Sequence, residues 1–112
     1  MPAELPLEVD VHFVKGLIDR GEDFLLLDCR ETDEFNFARI ATSKHVPMND
    51  IPARIDELSA LRHKRIVVHC HHGGRSLRVT NWLRQQGFTQ AQNMDGGIDD
   101  WSQYIDPSVP RY

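Results

Sequence analysis

Cysteine is scarce in this sequence, with Cys29 and Cys70 the only two among 112 residues. They form no Cys-x-x-Cys pair and no dense framework, which argues against a zinc ribbon and a disulfide scaffold. Sparse cysteine instead fits a reducing compartment, where free thiols do chemistry. Long apolar runs are also missing. No stretch approaches the roughly 18 residues that a membrane span needs, and no charged-then-apolar leader opens the chain. A soluble, cytoplasmic protein with no membrane partner is therefore expected. A basic excess is absent too, since the net charge is −4. That argues against the basic footprint of nucleic-acid binding. Repeats, low-complexity tracts and linkers are lacking, so residues 1–112 are expected to form a single domain.

What is present alternates. Leu7-Glu8-Val9 reads as a short first strand. Asp10 can cap a helix carrying Val11, Val14, Leu17 and Ile18 at helical spacing, ending near Gly21. The apolar run Phe24 to Leu27 suits a strand buried on both faces. Thr32 to Ala38 reads as a short helix, and His45-Val46 as a brief strand stopped by Pro47. Ile51, Ile55 and Leu58 mark a further helix. Ile66-Val67-Val68 is β-branched and short, a strand. A helix from about Ser76 to Gln86 turns Leu77, Thr80, Leu83 and Trp82 inward. Gly87 is placed to cap it in a left-handed conformation, with Phe88 packing back. Ala91 to Met94 is a late strand, and Gly96-Gly97 turns into a last helix bearing Ile98 and Trp101.

Strands alternating with helices predict parallel βαβ units, an α/β sheet flanked by helices on both faces. Ligands in such sheets gather at the carboxyl ends of the strands. Asp28-Cys29-Arg30 and the segment Cys70 to Arg75 fall at such ends. The basic cluster Arg62 to Arg65 falls at the opposite edge and reads as a solvated turn.

Cys70 follows a buried strand and precedes a helix, with Gly73 and Gly74 between. Glycines let a tight loop turn its N–H groups inward, and those groups with a helix N-terminus make an anion cradle. A thiolate in such a cradle can have its pKa lowered from about 8.5 to roughly 3.5–7.5. Arg75 adds permanent charge to this loop, and His71 and His72 add conditional charge. Arg78 and Arg84 read as exposed helix positions. Two other readings stay open on spacing alone. Cys70 could be an inert core thiol. A metal site is disfavoured, because the consecutive side chains His69-Cys70-His71-His72 do not converge easily on one ion.

Three segments together resemble one family. Leu27-Asp28-Cys29-Arg30-Glu31 through Glu34-Phe35 is similar to the Asp-x-Arg-Glu…Glu-Phe signature of the single-domain rhodaneses, the thiosulfate sulfurtransferase-like family. His69 to Ser76 resembles the active-site loop of small bacterial sulfurtransferases. Asn93 to Trp101 resembles the family's Gly-Gly-x-x-x-Trp segment. The resemblance runs over about residues 7 to 104. It departs at Ala38-Arg39-Ile40, where Arg39 stands in place of a usual histidine.

The resemblance implies a rhodanese-like five-stranded parallel sheet with strand order 3-2-4-5-1. It implies that Cys70 is the nucleophile of sulfane-sulfur transfer from thiosulfate or a persulfide donor, through a Cys70 persulfide. The acceptor would be cyanide, a thiol or a protein. No metal or organic cofactor is needed. His71, His72, Gly73, Gly74, Arg75 and Ser76 would form the substrate-binding loop, with His71 and Arg75 orienting the donor. Asp28 and Arg30 would be structural neighbours of the site, and Trp101 a core residue. Cys29 would lie beside Cys70 on the neighbouring strand, as a packing residue or, less readily, a resolving thiol.

The same fold also hosts phosphatases and arsenate reductases, whose loop places arginine one residue later. Here Ser76 occupies that position, and the shorter loop suits a sulfur atom better than phosphate. A non-catalytic binding or regulatory module is the further alternative, although such members commonly lack the cysteine.

Overall fold

In the computed structural model, which describes residues 5–112, side chains of the central strands alternate between two cores, as the two-residue period of a strand requires. The strands are β1 (Glu8–Val9), β2 (Phe24–Asp28), β3 (Lys44–His45), β4 (Arg65–His69) and β5 (Ala91–Met94). All pair in parallel in the order β1-β5-β4-β2-β3, which is the expected 3-2-4-5-1 read from the other edge. Leu27, Ile66 and Val68 face one core, and Cys29 and Cys70, just past the strand ends, join it. Leu26, Val67 and Met94 face the other.

Helices close both faces. The helices are α1 (Val11–Asp19), α2 (Thr32–Phe37), α3 (Ile55–Leu58), α4 (Gly74–Gln85) and α5 (Gly97–Tyr104). Val11, Val14 and Leu17 of α1 pack with Ile98 and Trp101 of α5 in the core on one side. Leu58 of α3 and Val79 and Leu83 of α4 pack in the core on the other. Asp10 caps α1 as expected, its carboxylate accepting the Phe13 N–H at 2.8 Å. Gly87 ends α4 at φ 91°, and buried Phe88 donates its N–H to the Leu83 carbonyl.

Four expectations need correction. The helix anticipated from Ile51 is instead a 3₁₀ turn (Met48–Asp50), a single helical turn (Ile55–Leu58) and a second 3₁₀ turn. Pro52 has no N–H to contribute, and Arg54 at φ −107°, ψ 15° leaves helical space. In α4 the buried positions are Ser76, Val79, Thr80 and Leu83, while Leu77 is only half-buried. Arg84 is not a free surface residue. Its guanidinium donates to the carbonyls of Ala91 and Leu5, both at 2.8 Å, and so ties α4 to the chain entering β1. The cluster Arg62 to Arg65 does lie away from Cys70, but only His63 and Lys64 are exposed. Arg62 stacks on Phe88 and Arg65 on Phe13.

Among the described residues no helix is long and apolar enough to cross a membrane.

Candidate active site

The site forms where β4 runs into α4. The helix begins at Gly74, two residues earlier than expected, because Gly73 adopts φ 122° and accepts the Leu77 N–H. Few side-chain-bearing residues hold that dihedral, so glycine is required there. The early start leaves the first-turn N–H groups of α4 without backbone partners. Two N–H groups at this turn point to one atom, the Cys70 sulfur. The Gly73 N–H donates to Sγ at 3.1 Å and the Ser76 N–H at 3.4 Å, and the Ser76 hydroxyl lies 3.3 Å away.

Burial, with Cys70 only 1% exposed, pushes the thiol up. The Ser76 hydroxyl and the N–H groups of Ser76, Gly73 and His72 outweigh it, and the pKa falls below the ordinary value. The expected activation by inward N–H groups is observed, and only the part expected of the Arg75 charge is corrected. Hydrogen bonds to sulfur lower the pKa, while the guanidinium of Arg75 is taken up by Glu34 at 2.6 and 2.9 Å. Burial and the adjacent His72 ring lower the pKa of His71, which favours its neutral form.

The cradle is braced from behind. Ile98 and Asp99, opening α5, donate their N–H groups to the carbonyls of Cys70 and His71 at 3.0 and 3.1 Å. With those carbonyls held outward, the peptide N–H groups are free to face the sulfur. Gly97 makes the approach possible, because a Cβ there would strike both carbonyl oxygens. The one proton of the Ser76 hydroxyl has two acceptors in reach, the Cys70 sulfur and the amide oxygen of Asn93 of β5, and Asn93 donates to the Gly73 carbonyl at 3.3 Å and to Glu8 at 3.0 Å.

Beneath the loop lies a buried ion pair. Arg30 and Asp28 are both 0% exposed and 2.6 Å apart. Arg30 also donates to the Ala38 and Glu34 carbonyls, so its fork is fully used inside the protein. Burial is the largest influence on Asp28 and raises its pKa, but the hydrogen bonds from Arg30 together with the neighbouring charges outweigh it and hold the net value down. Cys29 sits beside Cys70 in the parallel register that follows Asp28 and His69. Both thiols are free and buried, and burial followed by the charge of Cys70 pushes the Cys29 thiol far up. Arg39, the departure noted above, lays its guanidinium over Phe35 at 4.5 Å, on the surface.

The seven expected loop positions therefore come together around or beside one sulfur, with Asp28 and Arg30 below. Three contributors were missed. Glu34 stands in a quoted signature, but nothing in the sequence paired it with Arg75. Asn93 carries a signal, being amide-bearing in a strand otherwise fit for burial. Tyr112 carries none. It stacks on His71 with ring centroids 3.9 Å apart. Among the described residues, no group of three or more His, Cys, Asp or Glu is arranged to share a metal ion. The arrangement can stabilise a thiolate, or an anion built on it, by donors fixed before any reaction.

Comparison with known proteins places the fold and the family. The family model for the rhodanese-like domain matches residues 10–104. A sulfurtransferase of Allochromatium vinosum is 31% identical over 102 residues, covering 91% of this chain and 94% of that protein. The adenylyltransferase and sulfurtransferase MOCS3-1 of Zea mays is 35% identical over 103 residues, covering 88% of this chain and 22% of that protein. The chain thus spans about a fifth of the length of that longer relative. A rhodanese-related protein from Thermoplasma volcanium superimposes with a TM-score of 0.79 at 27% identity, covering 96% of this chain and 100% of that one.

Proposed function

Because the chain belongs to the rhodanese-like family, we propose that it is a sulfurtransferase and that Cys70 carries the sulfur. The Cys70 thiolate attacks the outer sulfur of thiosulfate, forming a new S–S bond as the old one breaks and sulfite leaves with the bonding pair. With a persulfide donor the leaving group is a thiolate. An acceptor then attacks the outer sulfur of the Cys70 persulfide and releases the Cys70 thiolate. Cyanide takes the sulfur as thiocyanate, and a thiol or protein thiol takes it as a persulfide. This is covalent catalysis by an activated nucleophile.

The observation that carries the reading is the convergence of the Gly73 N–H, the Ser76 N–H and the Ser76 hydroxyl on the Cys70 sulfur. Such donors favour the thiolate at rest and the anionic persulfide after transfer. Phosphate chemistry fits less well. The loop is one residue short of the phosphatase pattern, Ser76 stands where its arginine is needed, and Glu34 occupies Arg75.

Mass spectrometry after thiosulfate treatment tests the proposal. Wild type is expected to gain the mass of one sulfur atom, removable by cyanide, and Cys70→Ser to gain nothing. Absence of the adduct from both proteins, with thiosulfate and with a small-molecule persulfide, would overturn it and favour a binding module. Phosphate release from an aryl phosphate without any adduct would favour the phosphatase reading.

A further inference from the structure

The chain that follows α5 turns back across the molecule toward the loop. Val109 is buried in the same core as Trp101, Ala38 and Ile40. Arg111 reaches Asp99 at 3.1 Å. Tyr112 then lies against the active-site loop, outside residues 10–104 that match the family model.

Tyr112 makes two kinds of contact there. Its ring stacks on His71 with planes 9° apart, and the His72 ring is tilted against His71 with centroids 3.9 Å apart. The Tyr112 hydroxyl donates to Glu34 Oε2 at 2.7 Å and accepts from Arg30 Nη1 at 2.9 Å. Glu34 is the carboxylate that holds Arg75. One side chain thus grips His71 directly and Arg75 through Glu34. The Nε2 atom of His71 is buried without a partner among the described residues. Tyr112 itself is 43% exposed, and Val109 does the packing for this segment. The contacts of Tyr112 therefore serve the loop more than the core.

We propose that Tyr112 is a positioning residue for the reaction, holding His71 and the Glu34–Arg75 pair in one arrangement at the mouth of the Cys70 loop so that an anionic sulfur donor is bound in register with the thiolate. The proposal rests on the sulfurtransferase reading. Tyr112 touches neither sulfur nor substrate, so it acts on donor binding more than on the bond-breaking step.

Steady-state assays with thiosulfate and cyanide test this in wild type, Tyr112→Phe, Tyr112→Ala, His71→Ala and the His71→Ala/Tyr112→Ala double variant, with thermal melts alongside. Tyr112→Ala is expected to raise the thiosulfate KM roughly fivefold or more, with kcat changed less than about twofold. Tyr112→Phe, which keeps the stack on His71 but loses the hydroxyl bond to Glu34, should fall between wild type and Tyr112→Ala. In the His71→Ala background the Tyr112→Ala change should add much less than it does alone. A KM within about twofold of wild type in a folded Tyr112→Ala protein would overturn the proposal. So would equal impairment of the Phe and Ala variants, or full additivity with His71→Ala.

A second measurement needs no sulfur transfer. The ratio of Cys70 alkylation rates with anionic iodoacetate and neutral iodoacetamide should fall at least about threefold in Tyr112→Ala, and less in Tyr112→Phe. An unchanged ratio overturns the positioning role. If wild type transfers no sulfur but this ratio falls, the sulfurtransferase reading fails and the positioning of the loop stands.

Discussion

Glu34 takes both terminal nitrogens of Arg75, Oε1 on Nη1 at 2.6 Å and Oε2 on Nη2 at 2.9 Å. This bidentate pair joins α2, which follows β2, to the first turn of α4, which follows β4. Planar fork-to-fork pairing fixes orientation as well as distance. It converts Arg75 from a mobile charge beside the sulfur into a wall of the site.

The pair makes stability depend on acid in a defined way. Hydrogen bonds from Arg75, opposed by burial and aided by Tyr112, lower the Glu34 pKa from the ordinary 4.5 to about 2. A carboxylate depressed in the folded state stabilises it above the unfolded pKa, and this contribution is lost as pH falls through the folded one. The Glu34 contribution is therefore complete above pH 4.5 and lost progressively toward pH 2. Glu34→Gln should cost on the order of 1–2 kcal/mol at pH 7, allowing for solvent screening of a partly exposed pair. Urea unfolding of both proteins across this range should show the difference shrinking toward zero in acid. A difference independent of pH would mean the carboxylate charge is not what matters.

Ser76 tunes the nucleophile. Its N–H donates to the Cys70 sulfur, and its hydroxyl, in reach of both that sulfur and Asn93, favours the thiolate when its proton turns to the sulfur. Ser76→Ala removes the hydroxyl and should raise the Cys70 pKa. The rate of Cys70 alkylation by iodoacetamide at pH 7 should then drop roughly three- to tenfold, and recover at higher pH as the thiol ionises. Cys29, buried with its pKa pushed up, should stay unlabelled in the folded protein. A pH–rate profile of labelling, read by peptide mass spectrometry, checks both statements.

Arg30 is the residue whose loss should be felt most in the fold. It is fully buried and spends its donors on Asp28, two carbonyls and Tyr112. Arg30→Ala would strand the Asp28 carboxylate without its cation. Breaking a buried pair from one side costs about 3–5 kcal/mol. Asp28→Asn/Arg30→Met, which leaves neither charge alone, should cost clearly less than Arg30→Ala. Denaturant midpoints of the two variants decide it, and the opposite order would place the importance of Arg30 elsewhere.

Much of this was legible in the chain because the relevant signals are local. The runs Phe24 to Leu27 and Ile66 to Val68 mark strands buried on both faces. The Asp10 cap and the Gly87 stop bound their helices where expected. The crowding of Cys70, Gly73, Gly74 and Ser76 marks the cradle. The rest depends on contacts between distant parts of the chain. Arg84 read as surface because its carbonyl partners at Leu5 and Ala91 are supplied by other elements. Arg75 read as a free cation because Glu34 lies 41 positions away in sequence. Tyr112 gave no pattern at all, since one aromatic after the last helix has no period to reveal its face.

The brace behind the loop turns on one glycine. Gly97 sits at φ 59°, and any Cβ there would meet the Cys70 and His71 carbonyl oxygens. Those oxygens are held by the N–H groups of Ile98 and Asp99, an arrangement that leaves the loop N–H groups to the sulfur. Gly97→Ala therefore faces both a dihedral that L-residues resist and backbone atoms that cannot swing aside. The expected cost is about 2–4 kcal/mol of stability, at the upper end for a single small substitution. Where the variant still folds, the carbonyls must move and turn the peptide N–H groups away from Cys70. Its thiol should then titrate higher and label more slowly at neutral pH than in wild type. Unfolding by urea gives the first quantity and the pH dependence of alkylation the second. A stable variant with an unchanged labelling profile would show that the close approach of α5 does not hold the cradle open.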